Sequence, residues 1–299
     1  MVKFPSLHRF QRRTSTAPHE SHCAQVSRSV RPWPVFVALE LLIACLCCSL
    51  SWGQPTPRPA ETLHIAAASD LQPVLPPILK RFERETGIHP EATYQASAAL
   101  TAQIQNGAPF DIFLSANLSY PKWLIYAGLA DTRGIDGAQS GAPVIYARGA
   151  LVLWTRNDSH WPHPSLVTLR DPALRRLAIA NPERAPYGRA AMATLTSLKL
   201  LDLLKPKLVT AENIAQTAQF AETGNADAGL ISMTSAQTPH LQAIGTAFVI
   251  PKDLYPPIEQ GAAILSKTSA RVSAEKFLNY LLSPPIQKEL AQSGLAPVK

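Results

Sequence analysis

Residues 63–71 read Leu63-His64-Ile65-Ala66-Ala67-Ala68-Ser69-Asp70-Leu71, a short apolar run stopped by a serine and an aspartate. Leu71, Leu75, Ile78, Leu79 and Phe82 then recur at helical spacing as far as Gly87. That order predicts a strand, a tight turn and a helix. The pattern repeats with a strand over 92–95, the turn Ala96-Ser97, a helix over 98–106 stopped by Gly107, and a buried strand over 111–115.

Outward from this segment, strands are expected at 150–154, 177–180 and 228–232, and helices at 189–200, 214–222, 274–282 and 285–293. Strands alternating with helices predict an α/β protein with mixed, largely parallel sheets. Gly149 breaks the apolar stretch around it, and a proline-rich crossing runs over 251–257. These breaks divide the body into lobe one, 62–147 with 255–299, and lobe two, 148–254. A first lobe completed by returning chain is the shape of a hinged binding protein.

The first 53 residues read differently. A basic region precedes the apolar stretch 35–50, the order of an export signal, and this stretch is short for a membrane span. Small residues place cleavage after Ser51 or Gly53, leaving 54–61 as a proline-rich linker. The expected route is export with cleavage. An uncleaved anchor is one alternative, and acylation at Cys45 in Leu42-Ile43-Ala44-Cys45 is another. Of the 28 Lys and Arg and 21 Asp and Glu residues, six cations and two acids lie in this segment, so the +7 charge falls to +3 for 54–299. No nucleic-acid surface is indicated.

All four cysteines, Cys23, Cys45, Cys47 and Cys48, also precede residue 49, which removes thiol catalysis, disulfides and Cys-ligated metals from the body. The body's five histidines fall in no catalytic or metal pattern, and His160-Trp161-Pro162-His163 reads as a surface loop. Phosphate-loop and dinucleotide fingerprints are absent from the sequence. What remains is a set of strand ends that deliver small or hydroxyl residues to helix starts. Ser69, Ser97, Asn213 before Ile214, and the turn Ala185-Pro186-Tyr187-Gly188-Arg189 are the instances.

Helix starts carry free N–H groups and partial positive charge, so several converging on one cleft would hold an oxyanion with neutral donors. Each charge-assisted hydrogen bond contributes about 1.5–3 kcal/mol. The plainer reading of each residue taken singly is a helix cap.

Three motifs resemble the periplasmic molybdate-binding proteins of ABC importers, within the type II periplasmic solute-binding family. They are Ala66-Ala67-Ala68-Ser69-Asp70-Leu71, Tyr94-Gln95-Ala96-Ser97-Ala98-Ala99-Leu100, and Gly107-Ala108-Pro109-Phe110-Asp111-Ile112-Phe113-Leu114-Ser115-Ala116. The likeness continues through Ala185-Pro186-Tyr187-Gly188-Arg189 and Gly224-Asn225-Ala226-Asp227-Ala228-Gly229. The resemblance implies two lobes closing on molybdate or tungstate, with no cofactor and no catalysis. Partners would be a permease and its ATPase subunits, and the protein would act as a monomer.

By position, Ser69 and Ser97 would donate hydroxyl and backbone N–H groups, and Tyr187 and Ile214 backbone N–H groups. Ser232 stands where some members carry a tyrosine that reaches the anion. Asp70 is expected to point into solvent or a cap, because a carboxylate would repel the anion, and Asp111 is expected to be structural. Alternatives are another oxyanion such as sulfate, phosphate or thiosulfate, and an enzyme on the same fold.

Overall fold

The computed structural model describes residues 62–297; the export segment, Cys45 and the linker lie outside the described residues. The chain opens with β1 (Thr62–Ala68), the turn Ser69–Leu71 and α1 (Leu75–Thr86). The helix buries Leu75, Ile78, Leu79 and Phe82, the positions its spacing marks. It begins later than expected because Pro76 and Pro77 fit only its first turn, where N–H groups have no intrahelical acceptor. Gly87 stops it in the left-handed region at φ 73°.

Next come β2 (His89–Gln95), α2 (Ser97–Gln105), β3 (Ile112–Ser115), α3 (Ser119–Tyr126), β4 (Ala130–Asp131) and β5 (Val144–Gly149). Only Ala150 separates β5 from β6 (Leu151–Arg156), which opens the second sheet. That sheet is completed by β7 (Leu177–Ala180), β8 (Leu208–Ala211), β9 (Ala228–Ser232) and β10 (Gly245–Val249). Its helices are α4 (Pro186–Ser197), α5 (Leu201–Leu204), α6 (Ile214–Glu222), α7 (Met233–Ala236) and α8 (Pro239–Ile244). β11 (Ile258–Leu265) then returns to the first sheet, followed by α9 (Arg271–Leu282) and α10 (Pro284–Gln292).

The strand order is β2-β1-β3-β11 in the first sheet, with β4 and β5 on the far edge of β11, and β10-β6-β9-β7-β8 in the second. Among the described strands, β1 with β2 and β3, and β7 with β8 and β9, pair in parallel. The pairs made by β11 and β6 are antiparallel, so the sheets are mixed rather than largely parallel. β11, returning from the second lobe, runs against β3 already in place, and β9 and β10 run against β6, which opened the second sheet. Arg148 and Gly149 still pair with β11, so the chain leaves the first sheet after Gly149.

Two apolar clusters flank the first sheet, one around Ile65, Phe82, Leu114 and Phe277 and one around Leu100 and Phe113. Asp111 ties this lobe together: its carboxylate accepts the His64 backbone N–H at 2.7 Å and the Thr268 hydroxyl at 2.5 Å. The structural expectation for Asp111 agrees with this.

Candidate functional site

The strand ends of both lobes meet in one apolar cluster. Ala68, Ala96 and Ala116, from the ends of β1, β2 and β3, pack there with Ala185, Tyr187 and Ile214 of the second lobe. Each of the three alanines hands the chain to a turn or helix start, so burying them brings those starts to the lobe boundary. Ser69 opens the turn after β1, Ser97 is the first residue of α2, Tyr187 the second of α4, and Ile214 the first of α6. All four residues are buried.

The backbone N–H groups of Ser69, Ser97, Tyr187 and Ile214 have no protein acceptor among the described residues. Helix-start N–H groups lack intrahelical partners, which leaves these four facing out of the ends of their elements. Ser97 Oγ accepts the Ala116 N–H at 3.1 Å, which uses a lone pair and leaves its proton to donate. Ser69 and Ser97 are not the cap residues of their elements, whose cap positions are Ala68 and Ala96. Asn213 does cap α6, accepting the Gln216 N–H at 3.0 Å, and so holds the Ile214 N–H outward.

α4 begins at Pro186, three residues before the expected start at Arg189, because proline fits the first helical position. A Cβ on Gly188 would collide with the Ala180 carbonyl, so glycine lets this helix start lie against the end of β7.

The lobes are in contact. The Ala98 N–H donates to the Arg184 carbonyl at 3.1 Å, and the Arg189 guanidinium lies 5.5 Å from the Tyr120 ring centre while donating to its hydroxyl at 3.3 Å. α2 and α3 thus face α4 and the loop before it.

Ser232 lies at the end of β9, fully buried, but its hydroxyl is engaged. It accepts the Ser235 N–H at 3.2 Å, which makes it the cap of α7, and it lies 2.9 Å from the hydroxyl oxygens of both Thr234 and Ser235.

Asp70 overturns its expectation. It is neither in solvent nor a cap: it is fully buried, with Oδ2 accepting from the Tyr187 phenol at 3.1 Å and from the Gln260 amide. Burial pushes its carboxyl up to about 6, outweighing the bonds from Gln260 and Tyr187 that favour ionisation. The same burial, with Asp70 nearby, pushes the Tyr146 and Tyr187 phenols well above their usual range, so both stay neutral. The repulsion argument failed because it considered the anion alone and not donors reaching Asp70 from three elements.

Sequence reasoning missed Gln260, Thr234, Tyr146, Tyr120 and Arg189. Gln260 had a signal, as a long polar side chain inside the apolar strand Ile258–Leu265. Among the described residues, no group of three or more His, Cys, Asp or Glu could hold a metal ion, and His160 and His163 lie in irregular chain as expected.

The family model for bacterial extracellular solute-binding proteins matches residues 63–296. The molybdate-binding protein ModA of Azotobacter vinelandii is 35% identical over 235 residues, 79% of this chain and 90% of that protein. ModA of Rhodobacter capsulatus is 33% identical over 246 residues, 82% and 92% of the two chains. The solved periplasmic molybdate-binding protein of A. vinelandii superposes with a TM-score of 0.72 at 28% identity, covering 79% of this chain and all of that one. The sulfate-binding protein SubI of Mycobacterium tuberculosis shares the fold at 17% identity, with a TM-score of 0.64 and coverage of 80% and 88%. With two mixed α/β lobes and a match spanning nearly all the described residues, the chain belongs to the family of bacterial extracellular solute-binding proteins.

Proposed function

We propose that this protein is the extracytoplasmic binding component of an ABC importer and captures molybdate or tungstate between its lobes. The observation that carries the reading is the set of four buried N–H groups, at Ser69, Ser97, Tyr187 and Ile214, that lack protein acceptors and come from four helix or turn starts. Buried donors without partners are rare in folded proteins, and four at one lobe boundary call for a ligand rich in acceptors. A tetrahedral oxyanion supplies them. The hydroxyls of Ser69 and Ser97 add two more donors from the first lobe.

In this reading contact is made by Ser69, Ser97, Tyr187 and Ile214, while Ser232 holds α7 in place behind them. The hinge is Ala150 together with 250–257, so lobe one is 62–149 with 258–297. No cofactor takes part, and no reaction is done on the anion. The donors are neutral, so discrimination against sulfate rests on cavity size rather than charge. The protein works as a monomer in the periplasm. Its partners are the permease and the ATPase that drives it, and closure is what the permease reads.

Curated relatives at 33–35% identity carrying the molybdate-binding name support this choice of anion. A thermal-shift panel tests it: molybdate and tungstate raise the melting temperature, while sulfate, phosphate and thiosulfate leave it unchanged. A shift with sulfate or phosphate and none with molybdate reassigns the ligand.

A further inference from the structure

Asp70 sits at the lobe boundary in a setting that stability alone does not explain. Its side chain is fully buried, and among the described residues Oδ1 has no hydrogen-bond partner and no lysine, arginine or histidine offsets its charge. A buried carboxylate without a cation is costly, and this one adjoins Ser69 of the anion site.

The groups gripping it come largely from the other lobe. The Tyr187 phenol of α4 donates to Oδ2 at 3.1 Å, and the Thr234 hydroxyl of α7 donates to the Asp70 main-chain carbonyl at 2.7 Å. Gln260 of β11 donates to Oδ2 and, at 3.4 Å, to the Tyr187 oxygen. A Cβ on Gly149 would run into that phenol oxygen, so the last residue of β5 is shaped to admit it.

We propose that Asp70 is the latch of the closed form, a first-lobe residue held by Tyr187 and Thr234 of the second lobe that governs how fast a captured anion is released. It is a positioning residue: gripping it sets the Tyr187 N–H and the Ser69 hydroxyl against one ligand. The latch rests on the anion-binding reading above.

The latch carries a pH signature. The titratable groups facing Asp70 are Tyr187 from α4 and Tyr146 from β5, with the neutral Gln260 from β11 and Thr234 from α7. Closure buries the carboxyl and raises it to about 6, whereas opening returns it to water. The closed form therefore binds a proton more tightly, and release quickens as pH rises through about 6.

The test is a chase of isotopically labelled molybdate from the exported, purified protein and from Tyr187→Phe, Thr234→Val, Thr234→Ser and Asp70→Asn variants, each checked for folding by its melting curve. Tyr187→Phe and Thr234→Val are expected to raise koff about tenfold with kon within about twofold, and Thr234→Ser to restore the wild-type rate. The wild-type koff rises with pH and that of Asp70→Asn does not. Unchanged koff in both Tyr187→Phe and Thr234→Val overturns the latch. If the wild type retains no molybdate, the anion reading falls instead. Small-angle scattering then decides the latch without ligand: the Tyr187→Phe/Thr234→Val double variant is more open than wild type, and equal radii of gyration overturn the latch.

Discussion

Ser97 Oγ accepts the backbone N–H of Ala116 at 3.1 Å, joining the start of α2 to the chain leaving β3. Ser69, the matching residue after β1, opens a three-residue turn rather than a long helix, and the only Ser69 bond within that turn is at its backbone carbonyl, which accepts the Gln72 N–H. The two serines should therefore answer mutation differently.

In the proposed site, Ser69→Ala removes a donor to the anion and no side-chain hydrogen bond among the described residues. Affinity should fall by about 1–3 kcal/mol in calorimetry, with an unchanged urea midpoint. Ser97→Ala should lose similar affinity and, by leaving the Ala116 N–H unpaired, also about 1–2 kcal/mol of stability. Equal stability loss in both variants contradicts the assignment.

Recognition through main-chain N–H groups tolerates side-chain change. Ile214→Val should cost about 0.5–1.5 kcal/mol of stability, because Ile214 is buried in the interlobe cluster, yet leave anion affinity within about twofold. Strongly weakened binding at wild-type stability would mean the Ile214 side chain, not its N–H, does the work.

Asp70 makes stability depend on pH. Its folded value of about 6 lies above the 3.8 of an ordinary aspartate, so its favourable share of stability is complete below about pH 3.8 and is lost as pH rises through about 6. The full span corresponds to about 3 kcal/mol. Urea titrations should show Asp70→Asn gaining on the wild type between pH 4 and pH 8. A constant difference across that range would show that the carboxyl does not titrate in the folded protein.

Gly149→Ala places a methyl group against the Tyr187 phenol. The phenol must shift, loosening its bond to Asp70, so anion release should accelerate together with a modest fall in melting temperature. Wild-type release kinetics in a folded Gly149→Ala protein would contradict the packing.

Much of this was legible in the sequence. Leu75, Ile78, Leu79 and Phe82 fixed the buried face of α1 because helical spacing is a local property. Ser69, Ser97, Tyr187 and Ile214 could be placed at turn or helix starts because a strand end followed by a helix start is local as well. The antiparallel pairs of β6 and β11 were not visible, since strand direction depends on which lobe the chain has just left. Asp70 was misread for the same reason: its environment is built by Tyr187, Thr234 and Gln260, 117 to 190 residues away in sequence. Ser232 stands where some family members carry a tyrosine, and in the local sequence Ser232-Met233-Thr234-Ser235 its hydroxyl caps α7.

Calorimetric titration of the exported protein with molybdate, tungstate and sulfate at fixed ionic strength tests capture by neutral donors most directly. The expected result is one anion per chain, with molybdate and tungstate bound at about micromolar affinity or tighter and sulfate at least about 100-fold more weakly. Equal binding of sulfate, or no heat from either molybdate or tungstate, would contradict it.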